Sequence, residues 1–231
     1  MNGGVIVAVV TVDFDGTLYQ GDSFKVMFQV AKQDYGLKEW SVVGAGLVKS
    51  VALGLVKGKE AFKHEFFRSF ARSFKGKTQE ELADFFDKLA RHDLERVHYE
   101  LVEVVKHHQA QGDEVVVLSG ALMPFLKAFT REVGLNDVET IGTQLVFDDQ
   151  GLCKGQIGRI INGEEKVTQL KAWLDKRGKS ADDETLYAYA DSESDKPLFE
   201  FVDYPYVVNP DEKMKEISVQ KSWLFFEPSN K

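Results

Sequence analysis

Residues 5–12, VIVAVVTV, are apolar without alternation and rich in valine, the pattern of a strand buried on both faces in a parallel sheet. EVVVLSG at 114–120 repeats it, and TLYAYADS and PYVVNPD supply two further strands. Helical periodicity fills the gaps. LERVHYELVEVVKHHQAQ sets Leu94, Val97, Leu101, Val104, Val105 and His108 on one face, and Gly112-Asp113 closes it. MPFLKAFTREVG and EEKVTQLKAWLDKRG read as two more helices, while β-prone segments around DDQG, within 138–161, predict a hairpin-like excursion. From about Gly21 to Asp93 strand signals are scarce, and glycines at 36, 44, 46, 54, 58 and 76 punctuate several helices.

This alternation predicts an α/β fold with an open, doubly wound, mostly parallel sheet. Residues 1–19 and 93–231 form the core, and an all-helical cap over 20–92 is inserted after the first strand. Ligands of such sheets bind beyond the carboxyl ends of the strands. A length of 231 residues with 43% hydrophobic and 12% aromatic content supplies a real core. The net charge of -8 excludes a general nucleic-acid binder, whose affinity rests on many cations facing phosphates. A single cysteine, Cys153, excludes an intrachain disulfide and fits a reducing compartment. The N-terminal apolar run has no cationic lead and is too short to span a membrane, so a soluble cytoplasmic protein is expected.

The unusual polar residues fall where ligands are expected. Asp13 and Asp15 follow the first strand directly; alone, such a D-x-D serves a helix cap and loop amides as well as it serves catalysis. Ser119 ends a second strand, Lys166 opens a helix, and ADSESD places Asp191 and Asp195 just after a third strand. All should meet at one sheet edge.

With these residues in order, the chain resembles the haloacid dehalogenase superfamily, specifically its phosphoserine-phosphatase-like branch, subfamily IB, which carries a helical C1-type cap. The first motif, D-x-D-x-T, is DFDGTL here; the second is VVVLSG, the third the lysine of NGEEKV, and the fourth the acidic cluster of YADSESD. Two positions depart from the common G-D-x-x-N-D form of the fourth motif: Ala190 replaces its glycine and Ser194 its asparagine. The resemblance implies a magnesium-dependent phosphomonoester hydrolase acting through an aspartyl-phosphate. It makes Asp13 the nucleophile, Asp15 the general acid and base, and Ser119, Gly120 and Lys166 the phosphate ligands. Mg2+ would be held by Asp13, Asp15 and Asp191, with Asp195 and Ser194 standing behind them.

The resemblance also places substrate recognition in the cap. Asp22 occupies a position where amino-acid phosphatases of this branch carry an acid facing an ammonium group, yet GDSF equally suits a helix cap. Arg68 and Arg72, candidates for substrate contact, belong to a cationic stretch beside a stripe of Phe62, Phe66, Phe67, Phe70 and Phe74, which reads as an amphipathic helix with packed rings or, in a sharper reading, as a pocket for a larger, lipid-like phosphate. VVGAGLVKSVALGLV at 42–56 is nearly uncharged and is expected to bury itself in the cap rather than lie on a membrane surface. His107-His108 lacks a third metal ligand nearby, and FKGKTQEE lacks the glycine and strand of a phosphate loop. The expected partner is a small phosphate ester of the phosphoserine or histidinol phosphate type, with no nucleic acid. The alternatives are a phosphatidylglycerophosphate-type lipid phosphatase and a non-catalytic phosphate-binding module.

Overall fold

The structure is a computed structural model that describes residues 7–226, so the expected strand start at Val5-Ile6 lies outside the described residues. The chain runs β1 (Ala8–Val12), α1 (Ser23–Asp34), α2 (Leu37–Lys57), α3 (Lys59–Arg72), α4 (Gln79–Arg91), α5 (Tyr99–Ala110), β2 (Glu114–Leu122), α6 (Met123–Glu132), β3 (Glu139–Thr143), β4 (Leu145–Phe147), β5 (Cys153–Ile157), α7 (Glu164–Asp175), β6 (Thr185–Ala190), α8 (Lys196–Phe199), β7 (Tyr204–Val207), α9 (Glu212–Lys221) and β8 (Leu224–Phe225).

Six strands form one sheet in the order β3-β2-β1-β6-β7-β8, and every pairing in it is parallel. β1 is buried along its whole length, as its unbroken apolar run predicts. Its side chains alternate between two cores: Val10 and Val12 pack with α5, α6 and the inserted helices, and Val9 packs with α7, α8 and α9. The chain leaves β1 toward β2 on one side and β6 on the other, so the carboxyl end of β1 opens at a topological switch point.

Helices α1 to α4 are inserted between β1 and β2. α2 and α3 form an antiparallel-type hairpin turned at Gly58, whose φ of +89° suits only a residue without Cβ. α4, started by the reciprocal Thr78 and Glu81 capping bonds, packs its apolar face on α6. One hydrophobic cluster therefore runs through both cap and core, from Phe70, Phe74 and Phe86 to Phe125, Phe129 and Leu126. Phe66, Phe70 and Phe74 of the aromatic stripe are buried, which is the packed role expected of them.

Besides the packing of α4 on α6, backbone pairing joins cap and core at two places among the described residues. Where the chain enters and leaves the insertion, Tyr19 pairs with Val97, and the Gln20 amide donates to the Arg96 carbonyl at 2.8 Å. Elsewhere the β4–β5 hairpin meets the loop before α4: the Gly76 amide donates to the Cys153 carbonyl, and the Cys153 amide to that of Lys77, both at 2.8 Å.

Four elements differ from the sequence expectation. The helix expected from Leu94 is a short 3-10 turn over Leu94–Arg96, and α5 begins only at Tyr99, because the backbone at Val97 is taken by Tyr19. β3 is an edge strand of the main sheet rather than part of the hairpin, which β4 and β5 make alone. β2 continues past its expected end at Ser119 to Leu122 with an irregular register, so Ser119 and Gly120 lie within the strand, and α6 begins at Met123 as its sequence predicts. Finally, α2 buries only Val43, Gly46 and Ser50, not the whole 42–56 segment.

Candidate active site

The loop leaving β1 folds back on itself, its Asp15 and Tyr19 forming a bridge, and so turns Asp13 and Asp15 toward the switch-point crevice. There they line a cavity of about 440 Å³ together with Ser119, Gly120, Lys166, Asp191 and Ser194. Four segments distant in sequence converge: the loops after β1 and β6, the carboxyl half of β2 and the first turn of α7.

Lys166, in the first turn of α7, is 2% exposed. Its Nζ donates to Asp195 Oδ1 at 2.5 Å and lies 2.8 Å from Asp13 Oδ1. Burial alone disfavours the ammonium, but the carboxylates of Asp13 and Asp195 outweigh it and push the lysine pKa up. Asp195 also accepts from Ser192 Oγ at 2.8 Å, so both its oxygens have donors. Ser192 Oγ in turn sits 2.8 Å from Ser194 Oγ.

Burial raises the Asp13 pKa to about 6 against the pull of Lys166. It raises Asp15 to about 7, although Ser23 donates to both carboxylate oxygens, its amide at 2.6 Å and its hydroxyl at 2.7 Å. Asp191 reaches about 8 through burial and then through repulsion from Asp13 and Asp195. Asp13, Asp191 and Asp195 each offer an oxygen within 4.8 Å of the others, an all-carboxylate donor set that suits a hard divalent cation.

Gly16, between these carboxylates, has φ +78°, and a Cβ there would lie 2.1 Å from Asp191 Oδ2. Its carbonyl accepts from Asn209 Nδ2 at 3.1 Å. Gly16→Ala is expected to combine backbone strain with displacement of Asp191, costing about 1–3 kcal/mol of stability and most of any metal affinity. Urea unfolding and magnesium titration read the two losses separately.

The cap contributes Asp22, Ser23, Phe24, Lys63, His64 and Phe67 to the cavity wall. Asp22 caps α1, accepting from the Phe24 and Lys25 amides at 3.0 and 3.3 Å, and lines the cavity as well. Arg68 and Arg72 are not brought to this wall among the described residues. Arg68 is exposed, and Arg72 bonds Ser69 and Glu65 on its own helix. Arg68 follows Phe67 directly but points away, and Arg72 lies more than a turn further on; the α3 residues that face inward are Lys63, His64 and Phe67. Sequence reasoning missed these three, and also Ser23, Asn162 and Asn209. For Ser23 alone a signal existed, its place at the start of the helix that Asp22 caps.

A family model for haloacid dehalogenase-like hydrolases matches residues 10–200. The chain belongs to that family. A relative named "Probable phosphatase" from Mycobacterium tuberculosis is 27% identical over 124 residues, 54% of this chain and 42% of its own. The chain thus spans less than half the length of the curated relatives it matches. Among solved structures, a protein of unknown function from Bordetella pertussis Tohama I has a TM-score of 0.77 at 24% identity, covering 96% of this chain and 99% of that one. A probable phosphoserine phosphatase from Vibrio cholerae has a TM-score of 0.65 at 15% identity, with 97% and 63% covered. At these identities the likeness is one of fold, a Rossmann-like core of the hydrolase family with a helical cap.

Proposed function

We propose that the protein is a magnesium-dependent phosphomonoester hydrolase that works through a phosphoaspartate on Asp13. The observation that carries this reading is the convergence of Asp13, Asp15, Ser119, Lys166 and Asp191 on one cavity. With a pKa near 6, Asp13 is largely ionised at neutral pH, and Lys166 fixes one of its oxygens. Its other oxygen attacks phosphorus while the ester P–O bond breaks. Asp15, near 7, gives its proton to the leaving oxygen and then takes one from the water that cleaves the acyl phosphate, restoring Asp13. Ser119 and Gly120 at the cavity floor and the Lys166 ammonium receive the phosphoryl oxygens.

Mg2+ would be held by the carboxylates of Asp13 and Asp191 and the backbone carbonyl of Asp15, since Asp195 is committed to Lys166 and Ser192. When bound, it offsets the negative charge shared by nucleophile and phosphate. Ser194 and Asp195 then act by orienting neighbours. The leaving group we favour is small and amino-acid-like, because the Asp22 carboxylate on the cavity wall offers a partner for an ammonium group. A lipid phosphate is the second reading, favoured by Phe24 and Phe67 on the same wall.

The test is phosphate release from a panel of soluble monoesters and from lipid phosphates in micelles, with magnesium and with chelator. Magnesium-dependent release from amino-acid phosphates is expected; turnover confined to micelles moves the assignment to lipids, and tight phosphate binding without turnover on any ester overturns it.

The raised carboxylates make a second prediction. Their folded values exceed the ordinary 3.8, so between about pH 4 and 8 the metal-free fold holds protons that the unfolded chain has released. Stability of the metal-free protein therefore falls as pH rises through that window. Asp191→Asn should stabilise the metal-free protein at pH 8 by roughly 1–3 kcal/mol, while magnesium binding to the unmodified protein should tighten with pH and release protons near neutrality. Calorimetry in buffers of different ionisation enthalpy measures the released protons.

A further inference from the structure

Along α2, Gly46 and Gly54 turn toward α3, where added Cβ atoms would lie 2.2 Å from Ser69 and 2.9 Å from Phe62. The opposite face is in water. Leu37, Val48, Leu55 and Val56 are 93%, 72%, 85% and 81% exposed, with Leu47 and Val51 beside them at 42% and 46%. Of the residues of α2 only Val43, Gly46 and Ser50 are buried. Single exposed apolar side chains are ordinary, but Leu47, Val48, Val51, Leu55 and Val56 lie together along about three turns, with Leu37 near the helix start, and such a cluster marks an interaction surface.

Charge identifies what the stripe meets. Lys38 and Lys49, about three turns apart and so on one flank of the stripe, are both exposed, and Lys57 ends the helix. Lys49 Nζ lies 2.7 Å from the Glu65 carboxylate that Arg72 also reaches at 3.3 Å, so two cations share one acid and the flank stays positive. From Lys49 to Lys77 eight lysines and arginines stand against two glutamates, in a chain whose net charge is -8. We propose that this face docks the protein onto an anionic lipid surface, with α2 lying in the interfacial plane. The lysines flanking the stripe reach headgroups while the valines and leucines enter the acyl boundary.

The alternatives fit less well. α2 is long enough to cross a bilayer, but its inner face is packed on α3 across the one-residue turn at Gly58. Spanning would drag Glu65, Arg68 and Arg72 into hydrocarbon. A second copy seated stripe to stripe would set lysine flank near lysine flank, whereas anionic headgroups neutralise them. Docking also has a geometric consequence for the cavity: α3 supplies Lys63, His64 and Phe67 to its wall, so a single helix separates it from the bound surface.

The test is cosedimentation of the full chain with vesicles of phosphatidylcholine alone and of phosphatidylcholine with phosphatidylglycerol, at low and high salt. Binding to the anionic vesicles is expected, about tenfold weaker without phosphatidylglycerol or at high salt. Val48→Asp with Leu55→Asp should weaken it about tenfold or more, with the unfolding midpoint and any hydrolysis of soluble esters unchanged. Failure of the unmodified protein to bind anionic vesicles at low salt overturns the proposal. So does a dimer in sedimentation velocity that the same two substitutions dissolve. Because the readout is binding, it stands or falls apart from the catalytic assignment.

Discussion

Asp13→Asn is expected to lower phosphate release by at least about 10⁴-fold and to leave no acid-stable phosphoprotein. The amide is a poor nucleophile, yet its oxygen still accepts from Lys166, and the exchange removes a carboxylate whose burial is unfavourable. Loss of activity without loss of stability therefore points to chemistry and not to misfolding. Asp15→Asn gives the necessary contrast. It keeps the nucleophile, so a substrate with a good leaving group should still phosphorylate the protein, and the phosphoprotein should accumulate because nothing takes the proton from water. Rapid quenching followed by intact mass measurement distinguishes the variants. Normal rates in both would remove the proposed roles together.

Lys166→Met should be nearly as severe for activity and far worse for the fold. The ammonium is wedged between Asp13 and Asp195, which are 7% and 0% exposed, and truncation leaves two buried carboxylates facing each other. Breaking such a pair from one side costs about 3–5 kcal/mol. The expected pH dependence has a definite sign. Without the cation the Asp13 carboxylate, already raised to about 6, loses the attraction that holds it down, so the deficit is smallest where that group is protonated and grows as pH rises. Urea unfolding at pH 5 and pH 8 should show the gap widening at the higher pH. A constant gap would mean that packing of the lysine stem, rather than its charge, holds the site. Lys166→Arg is not expected to restore activity, because a planar fork cannot replace a point charge in this space.

Much of this was legible in the residues. Unbroken valine runs gave β1 and most of β2 because a strand buried on both faces must be apolar throughout. The polar pairs at their carboxyl ends gave the site because charge is tolerated there only if something distant answers it. β3 was not legible: Glu139–Thr143 is a half-exposed edge strand, and its pairing with β2 is a long-range fact that local pattern does not carry. The cavity-lining part of α3 was hidden for a related reason. Periodicity identified its apolar face, but which polar residues beside that face meet the cavity, Lys63 and His64 or Arg68 and Arg72, is decided by how the hairpin docks on the core. The exposed face of α2 was misjudged because an apolar sequence reports what a helix would prefer, not what is available to cover it.

The meeting of Gly76 and Lys77 with Cys153 bears on how the cavity exchanges its contents. A flap attached along one margin swings; a plate fastened along two can only bow. Any wide gape of the helical layer must first break that pair of backbone bonds, at about 1 kcal/mol each, and pull α4 off α6. Small cargo should therefore slip in and out by breathing of the side walls, and the release rate should respond more to cutting this fastening than to loosening the linkers near Tyr19 and Val97.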